Sequence, residues 1–498
     1  MIKRAIIIFI VASMCVQLCA CQTNPSNPAV NSKTDGPSYA DLVKPTEEGS
    51  NISTEMQYSD EFCSTDGSVE FTMNVEQILN VSALPVVEVI PHKLLSEDVK
   101  RVANVLFEDA VIYEREPSKN PSYSKDQLQK AIARWSQYTN STAMSELLID
   151  NSDVAVARRI DSLKGWIADY TEKYDTAPVE DPRTLCDWTF KKERHYNNLE
   201  LEISGRKESE DLDVIYANAE INDIEYVFTA STRDESDYKL NTIVVSLSSG
   251  VGPAEMDLSI YRAMLCRTSK PTDSQILSIS EKAQDMLNRM KLGDWLVTNT
   301  YVETTYFGDI PEYRVVVEAV PTFSEVPAVY GQLAPSATAN DTYAAYYPVS
   351  KADFGFSANG DLIDFRLISP VDIKEIVNSN VATLPLDTLV EKAKSTLMLS
   401  DVHAGYGVSA ELIYMYEEVM NEELVCKIEI STVEYGLARI NVENSDNSYY
   451  YIPTIVFKGK VDYYGKNTGT LYASSSDYGV NCIDLIWINA VDGTIITN

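Results

Sequence analysis

The chain has 498 residues, 45% of them apolar, and a formal charge of −33 from 41 basic and 74 acidic side chains. Such a length suits two to four domains of ~100–200 residues, and the apolar content is enough to build real cores. The charge repels phosphate backbones and anionic head groups, which excludes nucleic acid as a partner.

Lys3 and Arg4 precede an apolar run over 5–16, the short core of a secretory leader. That run is well below the ~20 apolar residues a permanent membrane span needs. Leu18-Cys19-Ala20-Cys21 follows with the pattern of a bacterial lipobox: a branched side chain, two small ones, then an acceptor thiol. The sequence therefore predicts a lipoprotein signal peptide over 1–20 and lipidation of Cys21, with a plain leader cut elsewhere as the alternative. Two or three palmitate-like acyl chains, at about 0.8 kcal/mol per buried methylene, make such an anchor effectively permanent.

Residues 21–61 are polar, carry Pro25, Pro28, Pro37 and Pro45, and lack helix or strand periodicity, which predicts a disordered tether. About 40 flexible residues reach roughly 35 Å.

The region 62–268 reads as α+β. Alternation over 68–75 and a dense apolar run over 84–90 predict strands. Ser96 is placed to cap a helix whose first turn holds Glu97 and Asp98 and whose stripe is Val99, Val102, Ala103 and Leu106. Ser124-Lys125-Asp126-Gln127 is a capping box, followed by Leu128, Ala131, Ile132 and Trp135 on one face. A third helix over 154–170 buries Val156, Ile160, Leu163 and Ile167. Alternating runs at 199–204, 214–221, 226–232 and 242–249 then predict an antiparallel sheet.

The rest looks duplicated, one copy over 269–378 and another over 379–498. Ser278-Ile279-Ser280-Glu281 reads as a capping box for a helix with Ala283, Met286, Leu287 and Met290 on one face. The second helix has Asp387 near its start and a stripe of Leu386, Leu389, Val390, Ala393 and Leu397. Strands over 313–320 and 424–430 follow. Next come Tyr346-Tyr347-Pro348 in one copy and Tyr449-Tyr450-Tyr451-Ile452-Pro453 in the other. Asn359-Gly360 and Asp492-Gly493 then mark hairpins.

Several runs resemble a family of Firmicutes, mainly clostridial, lipoproteins of unknown function. They are Val99-Lys100-Arg101-Val102-Ala103 with Leu106-Phe107 and Asp109-Ala110, and Leu384-Pro385-Leu386-Asp387. Tyr435-Gly436-Leu437-Ala438-Arg439-Ile440 leads into Tyr451-Ile452-Pro453. The closing run over 488–496 is similar to the final hairpin of PepSY-type and YycI-like extracytoplasmic modules. Where family members show Val-Trp-Asp-Phe, this chain has Thr454-Ile455-Val456-Phe457, so no role for that tryptophan carries over. The resemblance implies lipid anchoring and an α+β fold: an N-terminal helix-plus-sheet region, then two PepSY-like helix-plus-antiparallel-sheet repeats. It brings no active site; PepSY-like modules are associated with inhibiting or regulating partner proteins.

Chemistry-bearing motifs are sparse. His92, His195 and His403 are far apart and lack paired-ligand spacing; His92, after Pro91, reads as a surface or capping residue. Ser122-x-x-Lys125 and Ser204-x-x-Lys207 match a Ser-Lys nucleophile spacing, but the companion motifs are missing. The acidic loops at 234–237 and 443–447 lack the glycine and spacing of a Ca²⁺ loop and read as solvated turns. Gly250-Val251-Gly252-Pro253 is a turn, not a phosphate loop. Cys63, Cys186, Cys266, Cys426 and Cys482 form no C-x-x-C pair; Cys426 and Cys482, both in strand-like runs, are either neighbours or small buried thiols.

The thirty tyrosines offer aromatic faces, and Tyr346, Tyr347, Tyr449, Tyr450 and Tyr451 are either ordinary sheet packing or a contact for a protein partner or glycan. With no cofactor or metal motif, the expected function is non-enzymatic. It is a lipid-anchored protein on the extracytoplasmic face of the cell membrane that binds or regulates an envelope protein. The alternatives are a solute- or glycan-binding lipoprotein, and a hydrolase whose site is invisible in sequence.

Overall fold

The computed structural model describes residues 52–81, 83–108, 110–115, 123–145, 152–195, 210–221, 224–232, 241–247, 265–307, 310–329, 350–400, 402, 410–441, 448–475 and 482–496. The leader, Cys21, the strand expected over 199–204, both Ser-x-x-Lys serines, Tyr346, Tyr347, His403, the 250–253 turn and the two acidic loops lie outside the described residues.

The chain is α+β. Among the described residues its strands form two sheets, one of nine strands and one of ten. The nine-stranded sheet begins with β1 (Ile52–Cys63) and β2 (Val69–Val81), a hairpin in full register. The stretch expected to be tether until 61 is thus a strand from Ile52. Alternation is obscured there because β1 is an edge strand, polar on one face, with Met56 buried on the other. β2 runs parallel to β15 (Leu424–Asn441), which pairs along its whole length with β16 (Tyr449–Gly465). β17 (Leu471–Ser474) pairs with the end of β16, β18 (Ile483–Asn489) and β19 (Ile495–Ile496) continue the sheet, and β3 (Val86–Pro91) bridges β16 to β14 (Val371–Asn378).

The ten-stranded sheet is antiparallel in every described pairing. Its central order is β10 (Ile310–Phe323), β12 (Lys351–Phe356), β13 (Leu362–Ile368), β8 (Thr242–Leu247), β7 (Ile224–Thr232), β6 (Glu210–Ile221) and β4 (Ile112–Glu114). β9 (Trp295–Phe307) pairs with β10, and β5 (Lys191–His195) pairs with β6. The expected antiparallel sheet and both turns are present, with Gly360 and Gly493 at φ +83° and +76°.

The sheets cut across the divisions read at 268 and 378. β8 joins β13, β14 joins β3, and β2 joins β15. Local patterning encodes where a strand lies but not its distant neighbour, so these long-range pairings leave no mark along the chain.

Helices cover one face of each sheet. α1 (Ser96–Phe107), α2 (Lys125–Ser136), α4 (Asp153–Thr176) and α5 (Asp273–Met290) pack their stripes against Phe228, Phe354, Phe356 and Phe365, while α3 (Ser141–Ser145) adds Met144. Ser124 caps α2 in the expected box with Gln127. Two starts move. Leu95, not Ser96, is the cap of α1, its N–H donating to Asp98 Oδ2 at 3.0 Å. α5 opens at Thr272 through a box with Gln275, so Ser278 is already inside the helix. Among the described residues no helix is long and apolar enough to cross a membrane.

The second core lies under α6 (Leu386–Leu397) and α7 (Ala410–Met420), where Leu389, Ala393 and Ile413 meet Ile428, Tyr451 and Phe457. The end of β10 and β11 (Val326–Pro327) reach into this core with Val320, Phe323, Val326 and Ala328. Phe323 lies 4.6 Å from the Tyr451 ring, and Val329 N–H donates to Leu437 O at 2.9 Å. A Cβ at Gly436 would sit 2.6 Å from Val329 Cγ1, so only glycine admits this crossing.

The chain passes between the sheets after β3 and after β13, and these two connections run side by side. His92 N–H donates to Pro370 O at 2.8 Å, and Asn241 Nδ2 donates to His92 O at 2.7 Å. The His92 ring lies between carboxylates, Nδ1 2.9 Å from Asp372 and Nε2 3.3 Å from Asp98. The residue expected at the surface or in a cap thus pins a crossing point.

Candidate functional site

The tyrosine run expected as packing or contact surface opens β16, whose successive side chains alternate between faces. Both faces are covered here. Tyr451 is fully buried, its hydroxyl pushed up by that burial, and Tyr449 is buried with the Arg439 guanidinium 3.6 Å from its ring centre. Tyr450 is half-buried beside the Lys374–Glu88 ion pair. Burial removes Tyr449 and Tyr451 from any contact surface.

The cysteines do not come together either. Cys426 stands opposite Tyr463, whereas Cys482 precedes the Ile483–Gly459 pairing farther along the sheet. No disulfide joins Cys63, Cys186, Cys266, Cys426 and Cys482, and burial pushes Cys426 up to about 12. Cys63 and Cys482 are exposed.

An apolar helix face is the feature sequence reading missed. α7 is anchored from one side: Ile413 is fully buried, Tyr416 stacks on Tyr472 with ring centres 6.5 Å apart, and Glu417 Oε1 accepts a 3.1 Å hydrogen bond from Leu424 N–H. Asn421, at φ +51°, ends the helix. Glu422 then holds the following hairpin turn, accepting from the N–H groups of Asn467 and Thr468, each at 2.7 Å, and from the Tyr472 hydroxyl at 3.0 Å. These contacts fix how α7 sits. Its other side presents Tyr414, Met415 and Val419, which are 57%, 46% and 68% exposed. Exposed Glu418 lies on the same helix. A surface helix usually has one apolar stripe; the run Leu412-Ile413-Tyr414-Met415-Tyr416 with Val419 and Met420 holds more apolar residues than one stripe needs, and that excess was the signal available in sequence.

A carboxylate pair at the far end of the ten-stranded sheet anchors one titratable cluster. Glu220 of β6 faces Glu225 of β7 in register. Arg183 lies 3.2 Å from Glu220 and 2.7 Å from Asp181, its guanidinium 3.8 Å above the Tyr113 ring. Glu225 accepts a hydrogen bond from Asn218 Nδ2. Burial pushes Glu225 up to about 7; Arg183 opposes this and Glu220 adds to it. The two carboxyl groups thus differ in environment, one buried and one paired with arginine, so Glu225 holds its proton to higher pH than an ordinary carboxyl does.

No protein-family model and no curated protein matches the chain. Among solved structures it is similar to an uncharacterized protein from Eubacterium rectale ATCC 33656, at 8% identity and a TM-score of 0.38, over 88% of this chain and 93% of that one. A likeness of that degree carries no functional argument.

Proposed function

We propose that the protein is a lipid-anchored extracytoplasmic lipoprotein, tethered through Cys21, that binds or regulates an envelope protein through the outer face of α7. The observation that carries this reading is the exposure of Tyr414, Met415 and Val419 on a helix held rigidly from behind. Large apolar side chains gathered on one face and rimmed by charge mark an interaction surface. Burying each against a partner is worth about 1.5–3 kcal/mol. Exposed Glu418 on this helix, on a chain of charge −33, favours a partner whose apolar groove is edged by lysine or arginine.

The PepSY-like reading belongs to the same proposal. One helix, α5, is followed by strands in the sheet order β9–β10–β12–β13; another, α6, precedes β15–β16–β18–β19. The matching order supports two related modules of the kind associated with regulating other proteins.

A photo-reactive residue at position 419 tests the surface in intact cells, with position 277 on α5 as an exposed control. One partner band at 419, absent at 277 and lost when Met415 is changed to Asp, is the expected result. Equal labelling at both positions would overturn the assignment of α7.

A further inference from the structure

On the outward face of the nine-stranded sheet, Lys458 of β16 stands directly opposite Asp484 of β18 and beside Thr432 of β15. Its Nζ lies 2.7 Å from Glu434 Oε2 and 3.6 Å from Asp484 Oδ1. Asp484 is buried, and its other oxygen accepts a 2.8 Å hydrogen bond from Trp487 Nε1. Trp487 packs with Val329, Ala438 and Val456 in a small apolar cluster separate from the two main cores. An amine, a buried carboxyl fixed in orientation and a second carboxylate in hydrogen-bond reach therefore meet beside a dry aromatic surface.

We propose that this triad is a covalent modification site, at which Lys458 Nζ and Asp484 Cγ condense to an intramolecular amide that joins β16 to β18. The bond formed is Nζ–Cγ, and the bond broken is Cγ to one Asp484 oxygen. Lys458 starts as an ammonium and ends as an amide N–H, so it gives up two protons. Asp484 reacts as the neutral acid: its hydroxyl oxygen leaves as water with its own proton and one from Lys458, the second Lys458 proton passes to solvent, and no oxidant or further reactant is needed.

Each residue has a role in that step. Glu434, hydrogen-bonded to Nζ, takes the first proton and frees the lone pair for attack. It then returns that proton to the leaving oxygen, as a general base and acid does when it sits within reach of the reacting group. Trp487 holds one carboxyl oxygen, which leaves the other facing the amine and polarises the carbon under attack. Burial pushes the Asp484 carboxyl up even against the pull of Lys458, which favours the neutral acid an amine can attack. The ion pair with Glu434 keeps Lys458 an ammonium against the opposing effect of burial, which makes the proton-accepting role of Glu434 necessary. The sheet holds nucleophile and carbon together as cross-strand neighbours, so the reaction is intramolecular and gains the advantage of fixed proximity. No disulfide joins the described cysteines, and this amide would be a crosslink independent of redox conditions.

Peptide mapping of the full chain after denaturation, reduction and trypsin digestion decides the matter. The expected result is loss of cleavage at Lys458 and a branched peptide joining it to the segment holding Asp484, lighter than the two together by one water. Glu434→Gln, folded by circular dichroism, should give only the two linear peptides, and Asp484→Asn should give the same branch with loss of ammonia instead. Two linear peptides from the wild-type chain would show a plain cross-strand ion pair and overturn the proposal. A branch that forms equally in Glu434→Gln would overturn the role given to Glu434.

Discussion

Replacing Glu225 by Gln isolates one buried carboxyl whose effect on stability has a definite sign. Its ordinary value of 4.5 rises to about 7 in the folded chain, chiefly through burial. Between those limits the folded chain holds a proton that the unfolded chain has released. Stability from this group is therefore complete below 4.5, falls as pH rises, and is lost above about 7. At about 1.4 kcal/mol per pH unit, the loss between pH 4 and 8 amounts to roughly 3 kcal/mol. Glu225 is only 9% exposed, so solvent screening takes little from that figure. Gln keeps a carbonyl for the Asn218 donor and removes the titration. Urea unfolding of both chains at pH 4, 6 and 8 measures the effect: the stability of Glu225→Gln relative to wild type should grow by about 3 kcal/mol across the series. A difference that stays constant with pH would refute the reasoning, because it would mean the carboxyl ionises alike in both states.

Two other substitutions test the packing that joins the sheets and the face assigned to a partner. Gly436→Val forces a side chain into a gap where its Cβ alone would lie 2.6 Å from Val329 Cγ1 and 3.0 Å from Pro327 O. It should cost about 1–3 kcal/mol, with faster hydrogen exchange in β11. Val419→Asp alters a side chain that is 68% exposed, so its unfolding free energy should match wild type within about 0.5 kcal/mol, while photo-crosslinking from a neighbouring position is lost.

Much of the secondary structure was legible because its causes are local. The Ser124–Gln127 box opens α2 as read, since a side chain and an N–H three residues on are enough to define it. The same logic misplaced α5, where Thr272–Gln275 supplies an equivalent box earlier and Ser278 falls on a helical turn. β1 was hidden by its polar outer face, and α7 by apolar residues on both of its sides. The sheets themselves were illegible. The parallel contact of β2 with β15 and the reach of β11 into the second core depend on residues a hundred or more positions apart. Candidate sites suffered most: Tyr449–Tyr451 stood out by composition yet two of the three are buried, while Lys458, Glu434 and Asp484 are ordinary residues until the strands align them.

The functional account depends on the chain being held at the membrane by acylated Cys21. Metabolic labelling with a fatty acid, followed by separation of membrane and soluble fractions, tests this for wild type and Cys21→Ala. The account predicts labelled wild-type protein in the membrane fraction, and unlabelled variant that is no longer retained there. Label persisting in Cys21→Ala, or a wild-type chain without label, would contradict it.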